Sequence, residues 1–368
     1  MKICQIYYDA SHYRETIYRE IDKNFDSDIV FGLPSTTEGI KQMNTEGFKG
    51  RVFYSRILSW RSVFYQKGIL PLIWKSYDVY IGMGETHGIS SWLFPILVRL
   101  FKPKKKVYFW SHGWYGKETS IEKLIKKLFF KLPNGGTFLY GDYARDLMIK
   151  EGLSPNKLFV IHNSLAYYKQ LKLRNSVNAS NIYKDHFQNE NKVIVMIGRL
   201  NMRKHLDMLI ELLAIAKTRS HIYNLVLIGN GEDKDKLIKL SEEKNVSSQV
   251  WFYGACYDEK QNAELIYNAD LCVVPGDIGL TAIHSLMFGT PAVSHNHFTT
   301  QGPEFEAIKS GVTGDFYDYG SVESLTSTVE KWFETHDDRE LSRYACYKEI
   351  DSNWNPAYQI NVLKANLK

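Results

Sequence analysis

Two doubly wound α/β domains are the fold class this sequence predicts, and three observations predict it. Short apolar runs of strand character alternate with longer stretches of helical spacing in both halves, the rhythm of a parallel sheet with crossover helices. A length of 368 residues suits two domains of ordinary size, each with its own core. In the second half the apolar runs end on glycines, at Gly198, Gly229 and Gly254, where a strand-to-helix turn is needed.

In order along the chain, strands are expected at residues 2–8, 28–32, 79–82, 106–111, 137–141 and 157–162, with helices at 89–101 and 143–151 among them. The second half reads more cleanly. Its strands fall at 193–198, 224–229, 250–254, 271–274 and 292–295, its helices at 204–218, 233–244, 259–267, 281–288 and 321–334. Leu206, Leu209, Ile210 and Leu213 have the one-face spacing of a crossover helix. The polar stretch before Asn191 lacks periodicity, so the domains are expected at 1–170 and 192–338, with a linker at 171–191. The final segment, 339–368, is helical, interrupted by Asp351-Ser-Asn-Trp-Asn-Pro356, and is expected to cross back to the first domain.

Composition bounds the function. Apolar content of 44% and charged content of 24% are those of a soluble globular protein. Aromatic content of 14%, with 24 tyrosines, fits both core packing and stacking on carbohydrate, and does not choose between them. The four cysteines show no paired spacing, which predicts a reducing compartment and no structural zinc site. A strand begins at Lys2, so no signal peptide is expected, and the apolar run 92–98 is too short to span a bilayer. His295-Asn-His297 lacks a third ligand at suitable spacing, so no metal is expected there.

The net charge of +5 is divided unevenly. Residues 1–175 hold 27 Lys+Arg and 15 Asp+Glu, or +12; the remainder holds 46 − 27 = 19 and 41 − 15 = 26, or −7. In Ile121-Glu-Lys-Leu-Ile-Lys-Lys-Leu-Phe-Phe-Lys131 an apolar helical stripe runs beside lysines. Either it contacts an anionic membrane from the side, or it packs on the sheet like any amphipathic helix. No nucleic-acid motif accompanies the basic half, so nucleic acid is not an expected partner.

One constellation carries chemistry. Strand 271–274 runs into Pro275-Gly-Asp-Ile-Gly-Leu-Thr281 and then a short helix that Gly289 and Pro291 stop. A turn of this kind presents free backbone N–H groups, which suit a phosphate. Gly198-Arg199-Leu-Asn-Met-Arg203-Lys204 closes another strand, and its cations are placed to reach the same anion. Two positive sources at one point predict a diphosphate site.

At Gly198-Arg199-Leu-x-x-x-Lys204, Ile228-Gly-Asn-Gly231 and Pro275…Gly279-Leu280…Gly289-Thr-Pro291 the chain resembles the retaining glycosyltransferases of family 4, among them those that build bacterial capsule and O-antigen polysaccharides. The resemblance implies the GT-B fold, two Rossmann-like domains facing across a cleft. It also implies transfer of a hexose from a nucleotide-diphosphate sugar to a lipid-linked saccharide, without metal or cofactor, by a cytoplasmic enzyme peripheral to the inner face of the membrane. By position it implies Arg199 and Lys204 on the leaving phosphate, with Gly279, Leu280 and Thr281 as backbone donors, and His112 against the donor sugar. Glu306, with Glu304 as competitor, matches the carboxylate after Gly-x-Pro, and His87 is a candidate for the acceptor. The family's two glutamates, seven residues apart, fall here on Gly276 and His284. Asp277 and His284 are the expected replacements toward sugar and ribose. An epimerase on the same fold and a non-catalytic degenerate subunit are the alternatives.

Overall fold

The computed structural model describes residues 1–33 and 42–367. They form two units, Met1–Ala166 with Asn355–Lys368, and Tyr167–Trp354.

In the first unit β1 (Lys2–Tyr7) is buried from Ile3 onward, with Gln5 its one polar residue after Lys2, as befits a strand covered on both sides. After it come α1 (Glu15–Asn24), β2 (Asp26–Leu33) and the hairpin of β3 (Val52–Trp60) and β4 (Val63–Gln66). Then follow β5 (Val79–Met83), α2 (Ile89–Phe101), β6 (Lys106–Ser111) and α3 (Ser120–Phe130). The run ends with β7 (Gly136–Leu139), α4 (Asp142–Lys150) and β8 (Leu158–Val160). The eight strands lie in the order β4-β3-β2-β1-β5-β6-β7-β8, parallel except for β4. One core, around Ile3, Tyr18, Ile81 and Trp110, fills one side of the sheet. A second, around Tyr80, Phe94, Phe109 and Phe129, fills the other.

The second unit opens with α5 (Tyr167–Arg174) and α6 (Ile182–Phe187), two helices where a linker was expected. Next are β9 (Val193–Ile197), α7 (Asp207–Thr218), β10 (Asn224–Ile228), α8 (Lys234–Glu243) and β11 (Val250–Gly254). There follow α9 (Glu259–Asn268), β12 (Leu271–Val273), α10 (Thr281–Met287), β13 (Ala292–His295) and β14 (Gly314–Tyr317). The strand order is β11-β10-β9-β12-β13-β14, parallel throughout. It reverses between β9 and β12, so their carboxyl ends flank the open crevice of the sheet.

α11 (Val322–Thr335) and α12 (Arg339–Asn353) complete the second unit. α12, within the expected 339–368 segment, stays with the second unit, while the last helix, α13 (Pro356–Asn366), groups with the first. Its Ile360 and Leu363 enter the core beside α1, and Gln359 bonds to Ser164 and the His162 carbonyl.

Candidate functional site: the switch point of the second sheet

β9 and β12 end side by side, and the two loops that leave them are stitched together by the backbone. The Gly276 N–H donates to the Lys204 carbonyl at 2.8 Å and the Asp277 N–H to that of Arg203 at 3.3 Å. Gly276 is required for this contact: a Cβ there would stand 1.9 Å from the Arg203 carbonyl oxygen. The Thr281 hydroxyl donates to the Ile197 carbonyl at 3.0 Å, tying the start of α10 to the end of β9. These bonds bring the Gly198–Lys204 and Gly276–Thr281 segments to one place, as the sequence predicts.

Lys204 lies half-buried on the turn. Its ammonium donates to the Asp277 carbonyl and, at 3.4 Å, to that of Ile278. Burial lowers its pKa, opposed by the charges of Asp277, Cys272 and Glu304. A third N–H remains for a ligand. Arg199 is exposed, and its guanidinium makes no hydrogen bond or ion pair with any described residue.

The turn supplies fewer backbone donors than expected. Gly279 adopts φ +49°, and neither its N–H nor that of Leu280 is taken by another backbone group among the described residues. The Thr281 N–H is committed to the Ile278 carbonyl at 3.3 Å, and its hydroxyl to β9. The helix behind the turn has only seven residues, so the donors are the turn's own N–H groups more than a helix dipole.

Among the carboxylates, Asp277 accepts from the Gly302 N–H at 2.9 Å, one oxygen thereby holding the neighbouring loop. Gln301 reinforces that loop, accepting from Ile278 N–H at 2.9 Å and donating to the Ser294 hydroxyl at 2.8 Å. Glu304 is buried, and a Cβ on Gly302 would lie 2.9 Å from its Oε2 and 3.5 Å from Gly279 Cα. Glu304 thus stands near the Asp277–Gly279 turn, while Glu306, half-buried, gives its carbonyl to Lys309.

His284 sits one turn into α10, with Nε2 3.0 Å from Glu259 Oε1, which also accepts from Gln170 at 2.7 Å. Burial pushes the Glu259 pKa up, but bonds from His284, Gln170 and Asn262 outweigh it and hold the acid below its usual value. Sequence reading missed Glu259, Gln301 and Ser294. Nothing in their spacing marks them, because their partners lie on other elements.

His112 and His87 belong to the first unit. His112 follows β6 and lies against the rings of Tyr140, 4.7 Å away, and Tyr115, 6.2 Å away. His87 is exposed, in the loop between β5 and α2. Beside it Glu85 is held above the usual carboxylate range by burial. The described residues contain no group of three or more His, Cys, Asp or Glu arranged to hold a metal ion.

The chain is similar in sequence and in fold to known proteins. Residues 179–348 match the family described as glycosyl transferases group 1. An uncharacterized 41.2 kDa protein in the cps region of Klebsiella pneumoniae is 22% identical over 249 residues, 66% of this chain and 61% of that protein. The chain therefore spans less than two thirds of this curated relative. Among solved structures, the lipopolysaccharide outer core galactosyltransferase WaaB superposes with a TM-score of 0.72 at 17% identity, over 99% of both chains. Anabaena Alr3699/HepE in complex with UDP gives 0.71 at 14% identity, over 100% of this chain and 99% of that one. By fold the chain is a GT-B protein of two Rossmann-like units, and residues 179–348 of its second unit are similar to the glycosyl transferases group 1.

Proposed function

We propose that this chain is a retaining glycosyltransferase that moves a hexose from a nucleotide-diphosphate sugar to a lipid-linked saccharide during surface polysaccharide synthesis. The observation that carries the reading is that the loop bearing Arg199 and Lys204 and the turn with the open Gly279 and Leu280 N–H groups are bonded together at the switch point between β9 and β12. That is where an open parallel sheet binds a ligand, and the three sources together match a diphosphate. The relative from a cps region and the lipopolysaccharide transferase of like fold support surface polysaccharide as the product class, and the UDP complex supports a nucleotide donor.

In the reaction the bond between the anomeric carbon and the β-phosphate oxygen breaks as the acceptor hydroxyl approaches from the same side. The new C–O bond forms there, and the hydroxyl proton passes to the departing phosphate. The barrier is lowered chiefly by fixed charge aimed at the phosphate as it becomes more negative. Arg199 grips two oxygens with a planar fork, Lys204 adds a charge whose cost of burial a phosphate relieves, and the turn adds two N–H donors. These cations neutralise the diphosphate without a metal. In the second unit Glu304, Asp277 and the Glu259–His284 pair are the groups assigned to the sugar and ribose. The enzyme works in the cytoplasm, against the inner face of the membrane that carries its acceptor.

Labelled nucleotide sugars incubated with the protein and bacterial membranes test the proposal. Label appearing in extractable lipid, lost in Arg199→Ala, is the expected result. An isomerised free nucleotide sugar identifies an epimerase instead, and no product with any donor identifies a non-catalytic subunit.

A further inference from the structure

The amphipathic helix of the first unit does not bury its apolar stripe. α3 packs on the sheet through Phe129 and Phe130, while Ile121, Leu124, Ile125 and Leu128 are 72, 59, 43 and 53% exposed. The apolar side that periodicity assigns to the core is turned outward, and the helix is nonetheless well formed, its start fixed by a capping box of Thr119 and Glu122.

Its neighbour does the same. α2 and α3 follow adjacent strands and share one core, joined by Trp92 against Phe129 at 4.9 Å and by Arg99 donating to the Lys131 carbonyl at 2.7 Å. On α2 the outward residues are Ile89, Leu93, Ile96 and Leu100, 36 to 68% exposed, at the spacing of a single helical face. At its end Phe101, 57% exposed, meets the equally exposed Trp74. Isolated exposed apolar residues are ordinary, but two adjacent stripes with an aromatic pair at one end mark a binding surface.

Charge identifies the occupant. Residues 89–131 hold Arg99 and nine lysines against Glu118 and Glu122, a balance of 10 − 2 = +8. Both acids are engaged, Glu118 with Lys126 at 2.6 Å and Glu122 in the cap. Lys104, Lys117 and Lys131 stand exposed around the apolar face, while Lys123 and Lys127 are half-buried along it. A second copy docked symmetrically here would oppose lysine to lysine.

We propose that the joined outer faces of α2 and α3 are a docking surface for an anionic lipid bilayer, the leucines and isoleucines entering the headgroup boundary and the lysines meeting phosphates. Such a face lies in the interface and does not span it, and no helix among the described residues is long and apolar enough to cross a membrane. The inference gives the membrane partner of the proposed transferase a location, and it stands on the first unit alone.

Vesicle flotation tests it without donor or acceptor. The full chain should float with phosphatidylglycerol/phosphatidylcholine vesicles and roughly tenfold less with pure phosphatidylcholine, the difference shrinking as salt rises. Leu124→Asp with Leu128→Asp should cut flotation about tenfold or more while circular dichroism and nucleotide-induced thermal stabilisation stay unchanged. Failure to float with anionic vesicles, or equal flotation of the variant, overturns the proposal. So does a wild-type dimer in size-exclusion chromatography that the variant disperses, because the occupant is then a second copy. Transferase activity in a protein that ignores vesicles would leave the proposed function standing and remove this inference alone.

Discussion

α7 of the second unit and α3 of the first carry similar apolar spacing and meet opposite fates. α7 buries Leu209, Ile210, Leu212 and Leu213 at 0 to 1% exposure, whereas α3 leaves its stripe in the open. The period of a sequence says that a helix has an apolar face, but not what covers it. Lysines beside the stripe in α3, and their scarcity in α7, are the distinction the sequence does carry.

The largest expected effect sharpens that contrast. Leu213→Ala should cost about 2–5 kcal/mol of stability, since it opens a cavity in a packed core, while Leu124→Ala should stay within about 0.5 kcal/mol. Chemical denaturation of both variants checks this, and equal losses would mean that α3 is covered in solution.

Next in size are the cations of the switch point. Replacing Arg199 or Lys204 by Ala should remove a charged hydrogen bond of about 1.5–3 kcal/mol, roughly 10- to 100-fold in turnover. Vesicle binding by the first unit should not change. A substitution that lowered both readouts together would dissolve the division between a donor-binding unit and a membrane-facing one.

A third effect is acid sensitivity. His295 is buried, and desolvation, then the nearby His297, lowers its pKa from 6.5 to about 4. The unfolded chain takes up that proton first, so the stability His295 contributes is full above 6.5 and is lost as pH falls toward 4. In the first unit Asp28 is lowered from 3.8 to about 2: burial raises it, but bonds from Arg51 and Tyr77 prevail. Its contribution is present above 3.8 and lost only as pH falls toward 2. Hydrogen exchange across an acid titration should therefore show the second unit loosening at a higher pH, and His295→Gln should reduce the difference.

Legibility divides the two units in the same way. In the second unit β9 to β13 read within a residue or two, because buried parallel strands are short apolar runs, most of them closed by glycine turns, whereas β14 went unread. The β3–β4 hairpin of the first unit went unread. β3 is exposed at most positions, and the turn is made by Arg61 at φ +52° with no glycine or asparagine to announce it. α5 and α6 were taken for linker because their surfaces are polar; α6 is held by one buried residue, Tyr183, whose hydroxyl reaches the Leu265 carbonyl. At the site, Arg199, Lys204 and the Gly279 turn were legible as local motifs. The Glu259–His284 pair was not, since it joins two helices 25 residues apart and only their packing makes it.

The most direct measurement is calorimetric titration of the protein with a panel of nucleoside diphosphates, UDP among them. At least one should bind, and Arg199→Ala and Lys204→Ala should each weaken it roughly 10- to 100-fold, the Leu124→Asp/Leu128→Asp protein binding as tightly as wild type. Binding by neither the wild type nor any variant, or equal binding by all of them, would contradict a diphosphate held between β9 and β12.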